Sequence, residues 1–161
     1  MKKILYFCLV ACLAVWGFAA CEPEQLVDNT PVTGHPEQDA AGVYVGTWTR
    51  ILDADTTYAE GTITLAADTA YVVNVSVADA SGVNLTAMSS RANIAQESYH
   101  GTVFTNLAGT ANGFGVSFRG RTYTNADGQP EMMLAFVKSV KVGRKNYSYN
   151  FQFVGIKQAG E

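Results

Sequence analysis

Tyr147-Ser148-Tyr149-Asn150-Phe151-Gln152-Phe153 decides the fold of this chain. Rings occupy every second position, and small or amide side chains fill the positions between. A strand sends successive side chains to opposite faces, so this stretch has one aromatic face and one polar face. The pattern recurs upstream. Tyr71, Val73, Val75 and Val77 alternate with Asn74 and Ser76, and Ile63 and Leu65 with Thr62 and Thr64. Phe114, Val116 and Phe118 alternate with Gly115 and Ser117. Such runs, punctuated by Gly, Asn and Asp, read as an all-β protein.

The turns set the connectivity. Asn125-Ala126-Asp127-Gly128 precedes Pro130, and Asp-Gly supplies the positive φ of a tight hairpin. Gly143-Arg144-Lys145-Asn146 leads into the aromatic strand, and Ala67-Asp68-Thr69 separates the Ile63 and Tyr71 runs. Short connections join antiparallel neighbours, which makes a meander. The expected strands are Val43–Leu52, Tyr58–Ala66, Ala70–Ala78, Val83–Met88, Tyr99–Leu107, Gly113–Tyr123, Glu131–Val142 and Asn146–Lys157. Leu85 to Glu97 fits a short helix, a strand pair or a loop equally well. About eight one-sided strands close into an up-and-down barrel or stack as a two-sheet sandwich; alternation does not choose between them.

The first 20 residues belong to something else. Lys2 and Lys3 precede an apolar run from Ile4 to Ala20, and Phe18-Ala19-Ala20-Cys21 follows at its end. This resembles a bacterial lipoprotein signal peptide, with Cys21 as the lipidated first residue of the mature chain. Phe18 stands where an aliphatic residue is usual. Cys8 and Cys12 leave with the leader, so Cys21 is the sole remaining cysteine and no internal disulfide is expected. Residues 21–41 carry Pro23, Pro31 and Pro36 and five acidic side chains without a Lys or Arg, the composition of a tether. The globular domain is expected over 42–161. Without the leader, 9 basic and 14 acidic residues remain, a net charge of −5, and the excess lies in the tether. A neutral body offers no case for nucleic acid. The expected address is the bacterial cell envelope, anchored by lipid on Cys21 in the outer membrane, with either face open.

Val43-Tyr44-Val45-Gly46-Thr47-Trp48 opens the first strand and resembles the Gly-x-Trp signature of lipocalins at Gly46 and Trp48. With the leader and the ending Phe151-Gln152-Phe153-Val154-Gly155-Ile156-Lys157, the chain is similar to small calycin-like bacterial lipoproteins. The resemblance implies a barrel rather than a sandwich, with Trp48 closing one end and Gly46 allowing close packing. It also implies a late Arg packed on the Trp, for which Arg144 is the nearest candidate.

No catalytic constellation is visible, and no cofactor or metal is expected. His35 lies in the tether, and His100 has no second ligand in a metal-binding pattern. Asp53, Asp55 and Glu60 lack the spacing of a calcium loop. Lys138, Lys141, Arg144 and Lys145 form the strongest basic cluster, and Arg144 and Lys145 lie at a hairpin tip where exposed charge is ordinary. The leading expectation is a non-enzymatic protein that takes a small apolar or amphipathic ligand into the lumen. Its lining would be Tyr44, Ile63, Leu65, Tyr71, Val73, Val75, Phe114, Phe118, Tyr149, Phe151 and Phe153. The alternative is a filled barrel that meets envelope proteins through its loops.

Overall fold

The computed structural model describes residues 34–97, 101–108 and 112–159. The leader and Cys21 lie outside the described residues, as does His100. Eight antiparallel strands close into one up-and-down barrel. They are β1 (Gly42–Leu52), β2 (Asp55–Thr69), β3 (Val72–Val77), β4 (Met88–Glu97), β5 (Gly101–Asn106), β6 (Phe118–Thr124), β7 (Pro130–Val142) and β8 (Lys145–Lys157). Each pairs with the next, and β8 returns to β1 with Phe153 opposite Trp48. That last register is what alternation alone could not supply, and it excludes the sandwich.

The inward positions of all eight strands converge on one core. Tyr44, Trp48, Ile63, Leu65, Val73, Val75, Phe118, Phe151 and Phe153 are all buried in it. Glycines make room for the rings. A Cβ on Gly61 would overlap the Trp48 indole, and one on Gly120 would overlap the Phe104 ring. At Gly46 a Cβ would run into the backbone of Val154 and Gly155 on β8, so this residue lets the first and last strands approach closely.

Both ends of the barrel carry covers. Helix α1 (Pro36–Ala40) lies within the expected tether, yet its Pro36, Glu37 and Ala40 are buried. Pro36 suits the first helical turn because its missing N–H would have no partner there. The Tyr44 hydroxyl donates to the Ala40 carbonyl at 2.8 Å, and Lys157 Nζ donates to that of Asp39 at 3.0 Å. Glu37 accepts the Tyr71 N–H at 3.2 Å and lies 3.3 Å from His35 Nδ1. At the opposite end, the connection from β3 to β4 makes a 3₁₀ turn at Ser81–Val83 and buries Ala80, Val83 and Leu85.

Several expected elements are corrected. β2 runs straight through Ala67-Asp68-Thr69, with a register irregularity between Ala67 and Thr69, so the turn falls later. Tyr71 takes the turn position with φ +61° and is 57 % exposed, outside the lumen it was expected to line. Val83 lies in the 3₁₀ turn rather than on a strand, and the ambiguous stretch from Leu85 yields β4 from Met88 onward. Phe114 is buried but is not on a strand. The Asn112 side chain accepts the Phe114 N–H at 2.9 Å, a local bond that bends the chain. The ring then folds onto Phe118, 4.4 Å between centroids.

Candidate functional site

The interior is filled by its own side chains. Trp48 is 0 % exposed and packs on Phe153 at 5.1 Å and on Phe136 at 6.0 Å. Phe136 in turn meets Phe114 at 5.3 Å and Phe151 at 5.1 Å. Thr102 and Thr122 are the buried polar pair of the wall, and their hydroxyls bond to each other at 2.8 Å. Trp48 Nε1 is buried without a hydrogen-bond partner, but it lies over Gly61 rather than an open space. Tyr149 sits half-buried at the rim, packed against the core from its edge.

An open groove lies on the outer wall. It holds about 350 Å³ and runs across β5 to β8. Two consecutive outward rows build it: Val103, Arg121 and Met133, then Arg119, Ala135 and Gln152. Ala135 is short between long neighbours, which leaves the hollow. Glu97, from the end of β4, stands at its edge.

Arg121 is oriented by its surroundings. Its guanidinium lies 4.8 Å from the Tyr123 ring centroid, and Nη2 donates to Met133 Sδ at 3.6 Å. Tyr123 donates its hydroxyl to Glu131, whose second oxygen accepts from Asn125 Nδ2 at 3.1 Å. That bond and the adjacent negative charge push the Tyr123 phenol up from its usual pKa. Glu131 is therefore already committed. Among the described residues, neither Arg119 nor Arg121 has a carboxylate within 4.0 Å. Two cations, Arg121 oriented and Arg119 beside it, next to an apolar floor can take a carboxylate and the hydrocarbon attached to it.

A third cation sits at the end covered by the 3₁₀ turn. Arg50 follows Trp48 on the inward face of β1. It donates to the Val83 carbonyl at 3.2 Å and to Thr57 Oγ1 at 3.3 Å, and it lies 5.3 Å from the Tyr149 ring centroid. Arg144, the candidate for that kind of role, is exposed in the β7–β8 turn. Asp53, Asp55 and Glu60 are exposed on the β1–β2 hairpin, and no metal-binding group of His, Cys, Asp or Glu occurs among the described residues.

The chain matches no family model, no curated protein and no solved structure. Sequence reasoning missed the groove, though Arg119 and Arg121 alternate with the inward Phe118, Gly120 and Thr122, a signal that both face outward.

Proposed function

We propose that this chain is a lipid-anchored protein of the bacterial envelope that binds a small anionic amphiphile on the outside of a filled, calycin-like barrel and catalyses no reaction. One observation carries this reading: the interior is packed with aromatic rings, while the groove with two carboxylate-free arginines opens on the outer wall. The ligand keeps the amphipathic character expected from the sequence and changes place. Its carboxylate bridges Arg119 and Arg121, and its apolar part lies on Val103, Met133 and Ala135.

The test uses the full mature chain in detergent, with decanoate and 4-phenylbutyrate as probes and decanol as the uncharged control. Saturating carboxylate raises the melting temperature by roughly 10–15 °C, as expected for about 3 kcal/mol at a hundredfold excess over Kd. Arg119→Gln/Arg121→Gln abolishes the rise. A rise with decanol that survives the double substitution would overturn the groove and point back to the lumen. Anchoring is tested separately: Cys21→Ser eliminates incorporation of labelled palmitate, and unchanged labelling refutes lipidation at that residue.

A further inference from the structure

β7 and β8 continue to pair with each other beyond the reach of their neighbours. The last rung between β6 and β7 is Phe118 with Phe136, and the last between β1 and β8 is Ile51 with Asn150. Residues 137–142 and 145–149 therefore leave the barrel as a two-stranded ribbon, about 20 Å long at ~3.4 Å per residue. Isolated ribbons of this kind are marginal in water. This one is anchored at its base by Tyr149, which packs on the core and lies 6.4 Å from Phe151.

Its charge is one-sided. Lys138, Lys141, Arg144 and Lys145 lie on it, and no Asp or Glu occurs between Met132 and Gly160. Among the described residues, Lys138, Arg144 and Lys145 have no carboxylate within 4.0 Å. Alternation sorts the faces. Lys145, Tyr147, Tyr149 and Phe151 share one face of β8, and Lys138 stands opposite Tyr149 on β7. Arg50 lies over the same Tyr149 ring from the barrel side. From the tip, Lys145, Tyr147 and Tyr149 with Lys138 across from it thus lead along a ledge to Arg50 at the end of the barrel.

We infer that this ribbon docks an acidic polysaccharide. Sugar rings have apolar faces that stack on tyrosines, and the carboxylates along such a chain match a row of lysine and arginine side chains. Nucleic acid would meet the same groups. The glycan is favoured because the leader places the chain outside the cytoplasm, and on that point alone the inference rests on the proposed address. It is independent of the groove, which lies on the outward rows of β5 to β8.

Binding of the full mature chain to polygalacturonate is measured by calorimetry, with neutral dextran and single-stranded oligo-dT as comparisons. Polygalacturonate binds, dextran does not, and affinity falls at least about tenfold between ~50 and ~300 mM salt as the charges are screened. Lys138→Gln/Arg144→Gln/Lys145→Gln weakens binding at least tenfold with an unchanged melting temperature, and Tyr147→Leu weakens it several-fold. Carboxylate-amphiphile binding, read on the same triple variant, is unaltered, so this inference and the groove fail separately. Undiminished binding by the triple variant would overturn the proposal, as would tighter binding of oligo-dT, which would assign the ribbon to nucleic acid.

Discussion

Replacing Phe136 by alanine tests whether the barrel is filled or hollow. Phe136 is 3 % exposed and stands where β6, β7 and β8 meet. Its ring contacts Trp48 edge-on, Phe114 at 89° and Phe151 in a stack at 17°. Truncating a buried phenylalanine costs about 3–5 kcal/mol in lost transfer energy and residual cavity. Aromatic pairs add about 0.5–1.5 kcal/mol each beyond burial, which places this site near the top of that range. A loss of about 4–5 kcal/mol is a large part of the ~5–15 kcal/mol that holds a domain together. For a domain of this size it corresponds to a melting point lower by roughly 15–25 °C. Urea denaturation followed by circular dichroism measures it, with an unchanged m-value showing that the folded state has not loosened. Phe136→Leu keeps most of the volume and costs about 1–1.5 kcal/mol. The space left by the alanine is apolar, so benzene stabilises Phe136→Ala and not the parent. A loss below about 1 kcal/mol, or stabilisation of the parent by benzene, would refute the filled interior and return the ligand to the lumen.

Three further outcomes follow from the packing and the ends of the barrel. Gly120→Val forces its branches into the Phe104 ring and costs about 1–3 kcal/mol; combining it with Phe104→Leu recovers part of the loss, since the two sites share one space. The Glu37 carboxylate is held below its ordinary 4.5 chiefly by its own backbone N–H, then by that of Tyr71 and by His35, against the upward push of burial. Its stabilisation is therefore present above pH 4.5 and is lost as pH falls through the lower folded value. Glu37→Gln should differ from the parent in a pH-resolved melt at neutrality and converge with it in acid; a gap that persists unchanged in acid contradicts the ionised anchor. Burial pushes the Tyr44 phenol up to about 12. Burial disfavours the phenolate, so this group leaves stability unchanged below pH 10 and lowers it, by up to about 3 kcal/mol, as pH rises toward 12. Tyr44→Phe should cost about 1 kcal/mol at pH 7 through the unpaired Ala40 carbonyl. It should also flatten the alkaline fall in stability, and an equally steep fall would show that another group titrates.

The strands were legible because period-two alternation is a local property. Tyr149, Phe151 and Phe153 show it, and so do Val73, Val75 and Val77. Asp127-Gly128 was legible too, because a positive φ at Gly128 is demanded by the turn itself. Tyr71 and Phe114 were misplaced for one reason. Alternation extrapolates a strand past its end, and the end is set by cross-strand partners that the local pattern does not contain. β2 continues to Thr69 because β3 offers it rungs, so Tyr71 becomes the corner. Arg50 was readable in principle as the next inward position after Tyr44, Gly46 and Trp48. The groove was not, because Val103, Arg121 and Met133 become neighbours only once two strand registers are fixed.

The division between inside and outside follows from chemistry available without a disulfide. Eight strands enclose an interior about wide enough for side chains. Where a ligand is to enter, the inward residues must be small or recessed. Here the inward residues of β1, β5, β7 and β8 include Trp48, Phe104, Phe136, Phe151 and Phe153, while Gly61 of β2 and Gly120 of β6 lie directly beneath rings. The glycines thus serve the packing of aromatics and leave no room for a guest. On the proposed reading recognition falls to the outer surface, and the groove and the ribbon share β7 and β8. That wall is acid-free from Met132 to Gly160, and among the described residues Lys138, Arg144 and Lys145 have no carboxylate within 4.0 Å. An interior this tightly occupied holds the register of β6, β7 and β8 fixed, and that register sets which outward residues flank Arg119 and Arg121 and where β7 and β8 lose their other neighbours.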